Sequence, residues 1–195
     1  MTRAPRTPIV ALAATLIALL AAPFAGARSL RSASEVDYPP FCVTNRNGEA
    51  DGFAVNLLRE ALDAMGHEVT FRTGPWATVR TWLETGRVDV LPLVGRTPER
   101  EPLFDFTMPY LTMHGAIVVR RETTGIATLA DLRGRTVAVM EGDNTQEFLE
   151  REDRGIDLLT TPTFTDAFHR LSEGACDAVV VQRLVAESLI HIKQT

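Results

Sequence analysis

Thr97-Pro98-Glu99-Arg100 and Gly142-Asp143-Asn144-Thr145 are the two stretches whose residue types suit binding chemistry. Each follows a short apolar run of the kind that forms a buried strand. In an open α/β sheet, ligands bind beyond the carboxyl ends of strands. An Arg placed there can hold a carboxylate through two parallel N–H bonds. On residue types alone the plainer alternative, a surface Arg paired with Glu99 or Glu101, has the stronger claim. The second stretch opens a helical pattern, whose free N–H groups and partial positive charge attract anions. Capping by Asp143 or Asn144 would use the same groups, and Asp143 would repel an anion unless turned away. One such stretch in each half is what a two-jawed carboxylate clamp requires.

Other chemistry is sparse. His67, His114, His169 and His191 show no H-x-x-x-H or Cys-His spacing, so no metal site and no cofactor are expected. There is no G-x-S-x-G, no P-loop and no G-x-G-x-x-G. Glu173 and Asp177 read as solvated turn residues rather than an acid pair. No catalytic residue emerges, and the expectation is a protein that is not an enzyme. Tyr38-Pro39-Pro40-Phe41 is a proline-stiffened loop that holds an aromatic at a sheet edge. Trp76 opens a helix near the same edge. Tyr38 and Trp76 each suit a pocket wall or plain packing, whereas Phe71 and Trp82 read as core.

The elements that must position these residues alternate. Strands are expected at 30–34, 68–72, 88–93, 115–119, 136–140, 156–160 and 177–181. Helices are expected at 53–65, 75–85, 144–152, 166–173 and 184–190, from apolar residues at helical spacing. The first shows Phe53, Leu57, Leu58, Ala61, Leu62 and Met65 on one face. Asn144 and Glu147 have capping-box spacing. Strands alternating with helices imply parallel βαβ units. One pattern repeats: Leu83 to Leu91 and Leu171 to Val179 both read L-x-x-G-x-x-D and then an apolar run. Each is a helix end, a Gly able to take positive φ, and a turn into a strand. Copies 88 residues apart suggest two similar lobes joined near 118–121; a single α/β domain is what length alone favours.

The first 27 residues have the three parts of an export signal. Arg3 and Arg6 precede an apolar run from Ile9 to Ala22, Pro23 breaks it, and Ala25-Gly26-Ala27 ends it. That run is shorter than the roughly 20 residues that span a bilayer. Cleavage after Ala27 and a periplasmic location follow as expectations. Cys42 and Cys176 then face an oxidising space, and separation in different lobes favours two buried or free thiols over a bridge. A net charge of −5 excludes general affinity for nucleic acid.

At Tyr38–Phe41, Gly52–Leu58, Leu83–Leu91, Thr97–Tyr110, Leu129–Gly142 and Gly174–Val181 the chain resembles the bacterial extracellular solute-binding proteins of family 3, the polar-amino-acid-binding type. The resemblance implies an α/β fold of two lobes, the type II clamshell of periplasmic binding proteins, with lobe 1 at 28–118 and lobe 2 at 119–195. It implies that Arg100 grips a ligand's α-carboxylate, that Tyr38 lines the cleft, and that Asn144 and Thr145 belong to the second lobe's carboxylate-binding turn. Gln182 stands where amino-acid binders carry an Asp for the α-ammonium, and Leu93, Val94 and Gly95 stand where small hydroxylic residues are expected. The candidate ligand-binding set is therefore Tyr38, Trp76, Gly95, Thr97, Arg100, Asn144, Thr145 and Gln182. The partners implied are a small carboxylate or amino-acid-like ligand, and either an ABC-type permease or the chain's own membrane signalling module. The stretches Asp89–Tyr110 and Asp177–Ala186 are closer in style to clamshell sensor domains of membrane histidine kinases than to transport receptors. A dehydratase or lytic transglycosylase module on the same fold is the enzymatic alternative. In this family the chain returns from lobe 2 to close lobe 1. Ending at Thr195, the sequence reads as lacking that closing segment, whether as a truncated product or as the front of a longer receptor.

Overall fold

The computed structural model describes residues 28–192. The export-signal stretch 1–27 and residues 193–195 lie outside the described residues. In the first half, β1 (Ser29–Glu35) pairs in parallel with β5 (Glu68–Gly74). Between them come a small antiparallel sheet of β2 (Asp37–Tyr38), β3 (Cys42–Thr44) and β4 (Ala50–Asp51), then helix α1 (Phe53–Ala64). Gly52 opens α1 at φ +111°, and a Cβ there would lie 2.5 Å from the Phe41 carbonyl oxygen. Glycine alone suits that close approach. None of the residues on the expected apolar face of α1 is fully buried: Leu58 and Leu62 are half-buried, Phe53, Leu57, Ala61 and Met65 are exposed, and the helix buries Ala54 and Val55 instead. A sheet of two strands is too narrow to cover the whole face. Helix α2 (Trp76–Glu84) starts just after Pro75 and buries Trp76 and Val79, with Trp82 and Leu83 packed behind them.

The strand expected at 88–93 does not form; Val90 makes one isolated bridge to Ser32. Two features oppose it. Asp89 turns its carboxylate onto the β1 backbone, taking the Arg31 N–H at 2.8 Å. Pro92 has no N–H to give a ladder. The chain then runs without helix or strand through 91–114.

In the second half, β6 (Gly115–Val118), β7 (Thr136–Met140), β8 (Asp157–Thr161) and β9 (Ala178–Gln182) form one sheet in the order β6-β9-β7-β8. β7 is parallel to β8 and β9, and β6 runs antiparallel to β9, so within this sheet the expectation of parallel units fails at β6. Helices α3 (Asn144–Glu152), α4 (Phe164–Ser172) and α5 (Arg183–Ile192) cover the sheet. Alternation along a strand sorts the core into two layers. Val137, Val139, Ala178 and Val180 meet Leu132 and Leu149 on one side. Ala138, Met140, Val179 and Val181 meet Phe164, Ala167, Phe168, Leu171 and Val185 on the other. The second layer continues into the first half through Tyr38, Phe41, Trp76 and Ala33. All five residues of β9 are buried, as expected of a strand covered on both faces.

The repeat seen in the sequence is a repeat of structure. Gly86 and Gly174 both take positive φ. The Arg87 N–H donates to the Trp82 carbonyl, and the Ala175 N–H donates to the Arg170 carbonyl. Asp89 exchanges backbone and carboxylate bonds with Arg31, and Asp177 does the same with Thr136. Asp177 is thus a clasp on β7 rather than a merely solvated turn residue. Hydrogen bonds from Arg31 hold the exposed Asp89 carboxyl down at about 2. Such a depressed group stabilises the fold above its ordinary range near 4, and the contribution disappears as pH falls from there through about 2. Acid unfolding of Asp89→Asn is therefore expected to be shallower than that of the wild type across pH 4 to 2. Equal slopes by circular dichroism would contradict this.

Cys42 and Cys176 are both buried and unpaired, as expected.

Candidate functional site

Arg100 sits in a turn held by Arg100 N–H and Glu101 N–H on the Thr97 carbonyl. Its side chain is only 2% exposed and points into the crevice between the two halves. Neither sequence-adjacent carboxylate takes it: Glu99 pairs with Arg151, and Glu101 with Arg96. Instead its Nε meets the Glu147 carboxylate at 3.1 Å, Nη2 donates to the Gly142 carbonyl at 3.0 Å, and Nη1 donates to the Gly95 carbonyl at 3.3 Å. The guanidinium lies 5.0 Å from the centre of the Trp76 ring, a cation–π distance. Trp76 Nε1 itself donates to Gly142 at 2.6 Å. Trp76 is therefore both wall and packing.

The opposing turn is built differently from the expectation. Asp143, not Asn144, caps α3, accepting from the Thr145 N–H at 2.9 Å and the Thr145 hydroxyl at 2.6 Å. Asp143 wins because it stands one residue before the first helical residue, where a short acceptor reaches the free N–H groups. The Asn144–Glu147 capping box does not form, and Glu147 is left to cross the crevice. Gln182 donates from Nε2 to both Asp143 and Asn144, while its buried Oε1 has no partner. The helix-start jaw of the clamp is thus filled from within. Asn144 Nδ2 lies 3.0 Å from where a Gly95 Cβ would be, so a side chain at 95 would press on Asn144.

Tyr38, Trp76, Gly95, Arg100 and Asn144 line a narrow cavity of about 20 Å³ between the halves, together with Glu35, Met113 and Asp143. That is room for about one water, so beside the Arg100 guanidinium itself the two halves meet closely. Thr97, Thr145 and Gln182 instead line an adjoining cavity of about 700 Å³ that Asn144 shares. Glu35 is the residue that sequence reading missed. It ends β1 beside the YPPF loop, is 8% exposed, and places a carboxyl in the crevice where no acid was expected. Burial pushes it well above the usual carboxyl range, Asp143 adds to the rise, and Arg100 opposes it. Tyr38 is likewise raised by burial. It is 4% exposed and packs on Phe41 and Phe164.

A carboxyl raised in the folded state destabilises the fold increasingly as pH climbs above its unfolded value near 4. Glu35→Gln is accordingly expected to melt higher than the wild type at pH 8, with the gain shrinking toward pH 4. A gain that is constant with pH would mean that ionisation of Glu35 is not its cause.

Among the described residues, no group of three His, Cys, Asp or Glu could hold a metal ion. No described helix is long and apolar enough to cross a membrane.

Two α/β halves facing each other over a crevice that holds a buried Arg define the class of two-lobed periplasmic binding proteins. Three likenesses agree. The chain is 30% identical over 158 residues to the L-cystine-binding protein TcyJ of Escherichia coli (strain K12), covering 80% of this chain and 59% of that relative. A histidine kinase sensor domain with similarity to periplasmic binding proteins superposes with a TM-score of 0.82 at 36% identity, covering 86% of this chain and 74% of that one. An ancestral arginine-binding protein bound to arginine gives 0.77 at 31%, covering 85% and 74%. The family model for bacterial extracellular solute-binding proteins, family 3, matches residues 30–170, and the chain belongs to that family. It spans 59% of the length of the curated relative just named.

Proposed function

We propose that this chain is an exported binder of an amino acid or a similar small carboxylate, captured between lobe 1 (28–118) and lobe 2 (119–195) as they close. The observation that carries this reading is Arg100: a guanidinium 2% exposed, in the crevice, stacked on Trp76. A ligand carboxylate there gains charge-assisted bonds in a dry site, where they are strongest. Glu35 and Asp143 line the same crevice, and an ammonium or a cationic side chain beside them would draw the raised Glu35 carboxyl back to its ionised form. They take over the task that Gln182, being neutral, cannot perform. L-cystine and arginine, the ligands in the names of two similar proteins, carry both a carboxylate and an ammonium and fit this division. A ligand that touches both lobes only when they are closed shifts the population toward closure.

Two readers of closure follow from the likenesses: a membrane permease of the ABC type, or a kinase to which this domain is joined. The second is favoured by the 36% identity and 0.82 TM-score to the sensor domain. In either case export, with cleavage after Ala27, would put the binding lobes outside the cytoplasm. Glu35 acts here as a cation partner and not as a catalytic acid. Turnover of a cyclic carboxylic acid, lost in Glu35→Gln, is the result that would make the chain an enzyme.

The test is a thermal-shift panel of the amino acids, L-cystine and common organic acids against the full chain. Saturation a hundredfold above Kd adds about 2.7 kcal/mol of stability, a readily measured rise in Tm. A panel in which nothing raises Tm overturns the reading. Hits confined to acids without an amino group would remove Glu35 and Asp143 from it.

A further inference from the structure

We infer that Glu147 is an internal carboxylate that occupies Arg100 in the ligand-free molecule and latches the two lobes, so that a ligand's carboxylate must displace it. This rests on the reading of Arg100 given above. Glu147 projects from α3 in the second half, and every partner of its carboxylate lies in the first. Arg100 Nε meets it at 3.1 Å, Arg80 Nη1 donates at 2.8 Å, and the Thr97 hydroxyl donates at 3.1 Å. Two guanidiniums and a hydroxyl around one carboxylate are what a bound acid would receive. The Glu147 side chain is 10% exposed and that of Arg100 2%, so the contact is shielded from solvent and salt.

The charges leave room for exchange. Arg80 and Arg100 share Glu147, and Arg80 also holds Glu84, so a ligand carboxylate that takes Arg100 leaves neither guanidinium unpaired. Arg80 stands on the α2 surface at 22% side-chain exposure, with Glu84 as its other partner. It is placed to keep Glu147 when Arg100 is taken. The Gly142 carbonyl, which accepts from Trp76 and Arg100, is a second contact across the crevice. Glu147 thereby acts as a filter, since only an acid that binds Arg100 better than the protein's own carboxylate enters.

The experiment begins without ligand, on the full chain carrying Trp82→Phe so that Trp76 is the sole indole. In the ligand-free protein Trp76 is expected to be shielded from acrylamide. Glu147→Gln is expected to raise its quenching constant at least twofold and to increase the radius of gyration in solution scattering. A folded Glu147→Gln with both values unchanged overturns the latch. Should that variant fail to fold, Arg80→Met and Thr97→Val each remove one partner of Glu147. At least one is expected to raise quenching, and two unchanged variants overturn the proposal equally. The second arm is stopped-flow mixing with L-arginine, the bound species of one structural relative. Faster association in Glu147→Gln supports displacement, and unchanged or slower association counts against it. If L-arginine binds neither protein, the same mixing is done with a hit from the thermal-shift panel; if the panel gives none, the ligand reading is at fault, while the ligand-free arm still decides the latch.

Discussion

Replacing Arg100 with Ala is expected to lower affinity for whichever acid the panel identifies by about 30-fold to several thousandfold. The range corresponds to the roughly 2–5 kcal/mol lost when one partner of a buried, hydrogen-bonded charge pair is truncated. The guanidinium is nearly fully buried, and its three bonds reach Gly95, Gly142 and Glu147. Truncation also leaves the Gly95 carbonyl short of a donor and Glu147 dependent on Arg80 and Thr97. A lower Tm without ligand therefore accompanies the loss of binding. Arg100→Lys keeps the charge but not the planar fork, and is expected to recover stability more than affinity. Calorimetric titration separates the two effects. A ligand that stabilises wild type and Arg100→Ala equally would show that Arg100 is not its anchor.

The largest loss of stability is expected from Phe164→Ala, about 3–5 kcal/mol for a fully buried aromatic. Phe164 is 0% exposed at the first turn of α4, where Thr163 caps the helix by accepting from the Asp166 N–H. Its ring stands 6.1 Å from that of Tyr38, so the cavity opens where the two halves share a core. At roughly 2–4 °C per kcal/mol for a chain of this size, Tm should fall by about 6–20 °C. Phe164→Leu, which keeps most of the volume, should lose far less. A fall under about 3 °C for Phe164→Ala would mean that the shared core contributes little.

How much of this was legible in the sequence depends on the range of the interaction that decides each feature. The turns after α2 and α4 were legible because a helix end, a Gly and an Asp act within seven residues, and Gly86 and Gly174 do take positive φ. Arg100 was singled out through the family resemblance, since residue types alone favoured a surface Arg paired with Glu99 or Glu101, and its partner in the structure was not legible. Glu147 lies 47 positions away, and a local rule assigned it to a capping box that Asp143 forestalls. The run at 88–93 was apolar enough for a strand, yet Asp89 had a better use on the β1 backbone. Glu35 carried no signal at all: a lone acid at the end of a strand becomes a crevice residue only when the opposite half folds over it. The face of α1 was legible as amphipathic, while its partial exposure depends on the width of the sheet below it.

The two thiols have a practical consequence. Cys42 lies in β3 and Cys176 just ahead of β9, one in each half, and neither is bonded. Burial pushes Cys42 up to about 12 and raises Cys176 as well, so in the native protein almost none of the reactive thiolate exists. Alkylation by a maleimide dye then waits on local unfolding. The molecule carries a built-in clock for each half: peptide mapping of the label after timed exposure would show which of them breathes first.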